Sequence, residues 1–260
     1  MSGLQNTNAI IYGGGGSIGA AVGAAFARDG ARVHLVGRTQ DRLDLAARAI
    51  TDAGGSAEVA VLDALDEAAV DAHVGTVAER CGSVDVSLNL ITSGDVQGVA
   101  LVDMTSDDLL RAVDNGLRSN FMTARAAARR MTAQGSGVLL HLNSASAAGA
   151  MPGMGSTGPA DAAIETFYRY LAAEVGPSGV RVCGLWTAGV AETLTRAKIS
   201  AVSAEGPGPE QALAMIAGMA ALRRTPRLAD VADTAAFLAS DRAAGITGTM
   251  LNVTCGLVLR

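Results

Sequence analysis

A run of glycines near the start of the chain has the composition and spacing of a phosphate-binding turn. Gly14, Gly16 and Gly19 satisfy the pattern G-x-G-x-x-G between an apolar segment and an amphipathic one. Because glycine has no Cβ, the backbone can approach a pyrophosphate closely, and the N-terminus of the following helix adds N–H donors. The run therefore favours dinucleotide binding over an ordinary tight turn. The residues predicted to bind the dinucleotide at this turn are Gly13, Gly14, Gly16, Ser17, Ile18 and Gly19.

The second apolar segment ends in a cation, at the point where an acid would select NAD. Its last residues are VGRT, residues 36–39, and the first acidic residue after them is Asp41. An acidic side chain at this position binds the ribose 2′-OH of NAD, whereas a guanidinium group suits the 2′-phosphate of NADP. The alternative is that Arg38 is only a solvated surface residue. We predict NADP as the cofactor, with NADPH preferred over NADH.

The charge and composition of the chain exclude several kinds of partner. The formal net charge is -5 and no basic cluster occurs, so the sequence lacks the electrostatic surface that nucleic acids require. No uninterrupted apolar stretch reaches the length of about 18 residues that indicates a membrane span. The three cysteines, Cys81, Cys183 and Cys255, are far apart and show no metal-ligand spacing. We therefore expect a cytoplasmic protein without a metal, which acts on a small molecule and binds neither nucleic acid nor membrane.

Short apolar segments alternate with longer amphipathic segments along the whole chain, which predicts an α/β protein. Such strands form a parallel sheet covered on both faces, here a doubly wound (Rossmann) sheet in a single domain over residues 1–260. Residues 191–225 have the weakest pattern and are predicted to form a lid insertion, with a helix at 212–223. The other predicted helices span residues 17–29, 41–53, 67–81, 106–134 (with a possible break near Gly116), 160–175 and 228–240. The predicted strands span residues 9–12, 32–36, 58–62, 84–90, 137–142, 180–186 and 250–253.

Several further motifs occur in a fixed order along the chain. The opening turn begins at Tyr12, an acid, Asp63, follows the third predicted strand, and Asn89 follows the fourth. The segment GPSGVRV comes later, at residues 176–182. Taken together, these motifs resemble the short-chain dehydrogenase/reductase family over nearly the full length of the chain. The opening turn departs from the family's T-G-x-x-x-G-x-G at Tyr12 and Ser17, and only the first residue of its N-N-A-G motif is present.

The resemblance carries expectations for the cofactor site and for the assembly. It implies that Asp63 contacts the adenine ring and that Asn89 and Thr193 also belong to the cofactor site. Members of the family usually form tetramers through the two long helices that precede and follow the fifth strand. We therefore expect a homotetramer or homodimer, with Tyr168 and Tyr170 in or near the interface.

The catalytic residues that the family uses are largely absent. In the family's Tyr-x-x-x-Lys motif the phenol is the acid or base and the lysine holds the nicotinamide ribose, with a serine and an asparagine in support. No Tyr-x-x-x-Lys occurs in this sequence, whose single lysine is Lys198. Counting from the neighbouring motifs gives the residues at the asparagine, serine, tyrosine and lysine positions. They are Gly116 (with Asn115 adjacent), Ser144, Thr157 and Asp161.

The side chains at these positions still offer some chemistry. A threonine hydroxyl cannot act as the acid at neutral pH, because its pKa is far higher than that of a phenol. Asp161 has the wrong charge to lower a neighbour's pKa, but it can accept hydrogen bonds from ribose or, if poorly solvated, donate a proton itself. The alternative is that Asp161 is only a cap or first-turn acid of the helix near Pro159. The candidate catalytic residues are Ser144, Asp161 and Thr157.

Three functions remain open from the sequence. The first is an atypical NADP(H)-dependent reductase of a small, apolar carbonyl, imine or enone whose acceptor carbon needs little activation. The second is a non-catalytic homologue that binds the cofactor or partners an active relative. The third is a non-redox lyase, cyclase or isomerase on the same fold. We favour the first, because a chain that had abandoned the cofactor would have no need of the glycine turn, Arg38, Asp63 and Asn89.

Overall fold

Seven parallel strands in the described part of the chain form one sheet, with the order β3-β2-β1-β4-β5-β6-β7. The computed structural model describes residues 3–202 and 207–259. The strands are β1 (Asn8–Tyr12), β2 (Arg32–Gly37), β3 (Ser56–Val61), β4 (Val86–Asn89), β5 (Gly137–Ser144), β6 (Val180–Thr187) and β7 (Thr249–Val253). Every neighbouring pair is parallel. The predicted doubly wound sheet is therefore confirmed.

Helices cover both faces of this sheet. They are α1 (Ser17–Arg28), α2 (Gln40–Asp52), α3 (Glu67–Cys81), α4 (Ser106–Gln134), α5 (Thr157–Val175), α6 (Arg196–Val202), α7 (Pro209–Met219) and α8 (Leu228–Ala239). Helices α1, α2 and α8 pack together on one face, and α3, α4 and α5 pack together on the other. Strand β1 lies inside the sheet and is buried throughout, which explains the apolar run at residues 9–12. Within the described ranges, no helix is long and apolar enough to cross a membrane.

Helix α4 is continuous through Gly116, so the predicted break is wrong. A Cβ at this position would lie 3.1 Å from Cδ1 of Ile164 and 3.3 Å from Cβ of Ser93. The glycine therefore marks a place where α5 and the loop after β4 approach the helix closely. It does not mark a helix end, because tertiary packing here outweighs the low helix propensity of glycine.

Helix α5 begins at Thr157, three residues earlier than predicted. Pro159 lies in its first turn, where the missing N–H removes no hydrogen bond and the fixed φ suits a helix. As a result, Asp161 lies in the second turn, and the first turn contains no acidic residue. The alternative interpretation of Asp161 as a helix cap or first-turn acid is therefore wrong.

The predicted lid contains α6 and α7, and α7 ends at Met219 rather than at residue 223. The helix cannot continue, because Ala220 is extended with ψ of 141° and Arg223 has a positive φ of 53°. Met215 and Met219 are more than half exposed. Part of the lid, residues 203–206, lies outside the described residues. Closure of the lid over a ligand stays a prediction.

Tyr168 belongs to the core of the subunit and not to its surface. Its side chain is 3% exposed, and its hydroxyl donates to Oδ1 of Asn120 at 3.0 Å. Its ring stacks on His141 with 4.0 Å between ring centroids, and burial lowers the pKa of His141 to about 3, so that the imidazole is neutral. This corrects the expectation that Tyr168 faces an interface. Tyr170, which is 71% exposed, remains available for one.

The substitution Tyr168→Phe is expected to lower the free energy of unfolding by about 1–3 kcal/mol, because it removes the donor to a buried amide oxygen. The matched control is Tyr170→Phe, whose hydroxyl is on the surface and whose loss should change stability by less than about 0.5 kcal/mol. Urea unfolding followed by circular dichroism measures both. Equal stabilities of the two variants would show that the Tyr168 hydroxyl contributes nothing.

Candidate active site

A cleft of about 380 Å³ opens at the carboxyl ends of β1, β2, β3 and β4. It lies where the strand order reverses between β1 and β4, and open α/β sheets bind their ligands at such points. Gly13, Gly15 and Gly16 form one wall of the cleft, and Arg38 and Asp63 form another. The sheet topology therefore brings together residues that the sequence predicted for the pyrophosphate and for the adenosine end of a dinucleotide.

The glycine turn folds back on itself beneath this cleft. Gly13 has a φ of +83°, and the N–H groups of Gly13 and Gly14 both donate to the carbonyl oxygen of Val36, at 2.9 and 3.0 Å. The N–H of Gly16 donates to the carbonyl oxygen of Gly13 at 3.0 Å. A Cβ on Gly19 would overlap that same carbonyl oxygen. The turn therefore exists only because these positions lack side chains.

The start of α1 has the properties that a pyrophosphate requires. Helix α1 begins at Ser17, its N-cap Gly16 makes no side-chain cap, and its first turn has no acidic residue. The first N–H groups of a helix have no partner within the helix, and the helix dipole favours an anion there. Ser17 and Ile18 do not line the cleft, and their part in cofactor binding stays a prediction.

Two arginines flank the far end of the cleft. Arg38 follows β2, and its side chain is 75% exposed, with Nη1 only 3.9 Å from Oδ2 of Asp63. Arg42 lies in the first turn of α2 and also lines the cleft. Arg42 was not predicted as a site residue, although its position four residues after Arg38 indicated a second cation at this end of the cleft. This end of the cleft holds two guanidinium groups and one carboxylate, that of Asp63, so its formal charge is positive.

Apart from residues of the glycine turn and the start of α1, two residues predicted to bind the cofactor do not line the cleft. Asn89 is buried, its amide donates to Oγ1 of Thr123 at 2.9 Å, and its Oδ1 accepts from the N–H of Ile91 at 2.9 Å. It therefore holds the loop after β4, whose Ile91 does line the cleft. Thr193 is also buried, and its hydroxyl donates to the carbonyl of Val190 at 3.0 Å. A direct contact of Asn89 or Thr193 with the cofactor stays a prediction.

Ser144 and Asp161 meet beyond the inner end of the cleft. The hydroxyl of Ser144, at the end of β5, donates to Oδ2 of Asp161 at 2.6 Å, and its backbone N–H donates to the same oxygen at 3.1 Å. The amide of Asn143 donates to the backbone carbonyl of Asp161 at 3.1 Å. These bonds tie the second turn of α5 to the end of β5. They fix the carboxyl group in one orientation.

Thr157 contacts a carboxylate that the sequence analysis missed. Its hydroxyl donates to Oδ2 of Asp95 at 2.6 Å, and the amide of Gln97 donates to the same oxygen at 2.9 Å. Asp95 follows Gly94, which lines the cleft, so the loop after β4 connects the cleft to the Ser144–Asp161 pair. No sequence motif marks Asp95, because it lies 62 residues from its partner in an irregular loop.

The environment of Asp161 changes the acidity of its carboxyl group. Burial raises the pKa of Asp161 to about 7, and the negative charges of Asp95 and Glu165 act in the same direction. The hydrogen bonds from Ser144 act against this shift, since they stabilise the carboxylate. The carboxyl group is therefore partly protonated near neutral pH, unlike an ordinary aspartate.

A family model described as enoyl-(acyl carrier protein) reductase, within the short-chain dehydrogenase group, matches residues 14–258. The match includes strands β2 to β7, most of the cleft wall, and both the Ser144–Asp161 and Asp95–Thr157 pairs. The chain belongs to the short-chain dehydrogenase/reductase family. The resemblance seen in the sequence is thus confirmed at the level of the family.

Relatives of this short-chain dehydrogenase/reductase are oxidoreductases. The enoyl-[acyl-carrier-protein] reductase [NADH] of Synechocystis sp. is 28% identical over 261 residues, which cover 98% of this chain and 94% of the relative. The 3alpha-hydroxysteroid dehydrogenase of Mediterraneibacter gnavus is 29% identical over 252 residues, which cover 96% of each chain.

Solved structures of the family have the same fold. A 7 alpha-hydroxysteroid dehydrogenase complexed with NADH and 7-oxo glycochenodeoxycholic acid superposes with a TM-score of 0.84 at 26% identity, over 97% of this chain and 94% of that one. Carveol dehydrogenase from Mycobacterium avium in complex with NAD superposes with a TM-score of 0.89 at 21% identity, over 100% of both chains. Because carveol dehydrogenase is only 21% identical, its similarity shows the fold alone.

Counting from the neighbouring motifs predicts that Gly116 stands at the position of the family's asparagine. Gly116 packs against Ile164 and Ser93, as described above. The adjacent Asn115 lines the cleft, and its amide donates to the carbonyl oxygen of Ser93 at 3.3 Å. Asn115 therefore helps to hold the loop that carries Asp95.

Proposed function

We propose that the protein is an NADP(H)-dependent reductase of a small, apolar carbonyl, imine or enone, in which Asp161 supplies the proton. The observation that carries the proposal is the Ser144–Asp161 pair, held at 2.6 Å at the end of β5, the strand beside β4, whose following loop lines the cleft. Under this proposal the chain is an atypical member of its family, because the carboxyl group of Asp161 replaces the family's tyrosine phenol as the acid.

Asp161 suits this role better than Thr157, which stands at the family's tyrosine position. A threonine hydroxyl does not ionise near neutral pH, and here it already donates to Asp95. A general acid works best when its pKa is close to the operating pH. Burial gives Asp161 a pKa of about 7, so that its carboxyl group can both hold a proton and release it. Ser144 orients that carboxyl group and completes a polar contact for the substrate.

The cleft supports a dinucleotide on the evidence of its own backbone. Added Cβ atoms at Gly13, Gly14 and Gly19 would overlap neighbouring atoms of the protein, so the tight turn needs glycine there. Gly16, the N-cap of α1, lines the cleft. We propose that the turn and α1 hold the pyrophosphate and that Asp63 lies near the adenosine. When bound, a reduced nicotinamide dinucleotide supplies a hydride. Relatives are named with NADH or NAD, but the cationic end formed by Arg38 and Arg42 supports NADP here.

The substitution Arg38→Ala is expected to raise the Kd for NADPH about tenfold to hundredfold, because it removes a charge-assisted contact with the 2′-phosphate. The Kd for NADH should change by less than about twofold, since NADH has no 2′-phosphate. The matched control is Arg48→Ala, an exposed arginine of α2 that lies outside the cleft. Nicotinamide fluorescence measures all four affinities. An equal loss for NADPH and NADH would contradict the assignment of NADP.

The proposed function is tested by NADPH oxidation with a panel of acceptors. The panel contains an activated ketone, a cyclic imine and a conjugated enone, and the loss of nicotinamide absorbance is followed. We expect oxidation with at least one acceptor at a rate well above that of the protein-free mixture. If NADPH binds but none of the three classes is reduced, the reductase proposal is overturned in favour of a non-catalytic homologue.

A further inference from the structure

A second cavity, of about 460 Å³, lies at the amino ends of β1, β2 and β3, whereas the cleft described above lies at their carboxyl ends. Backbone of Gly30, Gly54 and Gly55 forms part of its wall. Among the described residues that line it, Arg32 at the start of β2 is the only charged one. Cys81, the last residue of α3, also lines the cavity and is only partly buried. The cavity therefore places an accessible thiol beside a cation.

Cys81 contacts two groups that can activate a thiol. Nη1 of Arg32 donates to Sγ of Cys81 at 3.5 Å, and Nε2 of His34 lies 3.9 Å from the same sulfur. The nucleophilic form of a cysteine is the thiolate, which a neighbouring base generates and a neighbouring cation stabilises. A candidate base and a cation therefore both meet this sulfur.

His34 is held in a position to act as that base. It is 3% exposed on β2, and its Nδ1 lies 4.0 Å from Oε2 of Glu58 on the neighbouring strand β3. A proton on Nδ1 faces this carboxylate and leaves Nε2 to accept from the thiol. Burial lowers the pKa of His34, and the charges of Arg32 and Arg80 act in the same direction, while that of Glu58 opposes them. The imidazole is therefore neutral at neutral pH and can take a proton.

We propose that Cys81 is a site of thiol–disulfide exchange with small anionic disulfides, in which His34 is the base and Arg32 attracts the anion. His34 takes the proton of the thiol, and the thiolate sulfur attacks one sulfur of the disulfide. The S–S bond of the reagent breaks as the new S–S bond forms, so Cys81 is oxidised to a mixed disulfide and the other half of the reagent is reduced to a thiolate. That thiolate leaves with the proton from His34. Arg32 forms no covalent bond and acts only through its charge.

The first experiment compares two cysteines within the wild-type chain. The protein reacts with dithiobis(nitrobenzoate), an anionic disulfide, and peptide mass spectrometry follows the labelling of each cysteine with time. The control is Cys255, the other partly buried cysteine, which follows β7 at the far edge of the sheet. We expect Cys81 to be labelled at least about tenfold faster than Cys255. Labelling of Cys255 at an equal or higher rate would overturn the proposal without reliance on any variant.

The second experiment separates the cation from the base by adding bis(hydroxyethyl) disulfide, which is neutral. Arg32→Ala should lower the ratio of the anionic to the neutral labelling rate of Cys81 about fivefold, because only the anionic reagent is attracted by the guanidinium. His34→Gln should lower both rates at least about tenfold and leave their ratio unchanged. Arg48→Ala, an exposed arginine of α2 outside this cavity, should change neither rate. A wild-type ratio in Arg32→Ala, or wild-type rates in His34→Gln, would contradict the proposal.

Discussion

Replacing Asp161 with asparagine is expected to lower the single-turnover rate of NADPH oxidation at least about a hundredfold, because the amide keeps the shape of the carboxyl group but cannot donate its proton. The affinity for NADPH should change little, since Asp161 is not part of the cleft wall. Stopped-flow fluorescence with the best acceptor of the panel measures the rate. Asp52→Asn serves as the control and should react like the wild type. A rate within a few-fold of wild type in Asp161→Asn would exclude Asp161 as the proton donor.

The same variant is expected to be more stable than the wild type at pH 8. The folded-state pKa of Asp161 is raised from 3.8 to about 7, so the folded protein binds a proton that the unfolded chain has lost. The free energy of unfolding therefore falls as pH rises between these values, and by pH 8 the buried carboxylate costs a few kcal/mol. Asparagine removes that cost. Lower activity with higher stability cannot come from a folding defect, and urea unfolding at pH 5 and pH 8 measures the difference.

Replacing Gly19 with alanine is expected to lower the affinity for NADPH at least about tenfold and the free energy of unfolding by about 1–3 kcal/mol. The new Cβ would overlap the carbonyl oxygen of Gly13, which accepts the N–H of Gly16 and cannot move without opening the turn. Both the cradle and its hydrogen bond are therefore disturbed by one methyl group. Calorimetric titration with NADPH and thermal unfolding measure the two effects.

The control for Gly19→Ala is Gly176→Ala at the end of α5. Gly176 has helical φ and ψ values, and nothing lies within 4 Å of the place where its Cβ would be. That variant should keep its affinity for NADPH and should not lose stability. Wild-type NADPH affinity in Gly19→Ala would mean that the turn is not the pyrophosphate cradle.

Much of the fold could be predicted from the sequence because its signals are local. Helix α3 has the predicted bounds, since Asp66 caps its start by accepting from the N–H of Ala69 and Gly82 ends it in the left-handed conformation. The start of α5 was misplaced because Pro159 and the two residues before it carry no strong helix signal. Gly116 was misread because the contacts that require a glycine come from α5 and from the loop after β4.

The candidate site could be predicted only in part, because its chemistry depends on contacts between distant segments. The glycine turn, Arg38 and the Ser144–Asp161 spacing were available from motifs and from the family resemblance. Asp95 could not be predicted from any motif, because it lies in an irregular loop that only the folded chain brings to Thr157. The sequence shows that residue 161 is an aspartate that could donate a proton. Its raised pKa depends on burial and on negatively charged neighbours, which only the tertiary structure shows.

The central claim is that this chain reduces its substrate with a proton from Asp161, and the pH dependence of a single turnover tests it most directly. NADPH oxidation by the wild type and by Asp161→Asn would be followed with the same acceptor from about pH 5 to about pH 9. We predict that the wild-type rate is constant below about pH 7 and falls tenfold for each pH unit above it. The variant should be slow and should lack this break. A wild-type rate that does not change through pH 7, or the same break in both proteins, would contradict the claim.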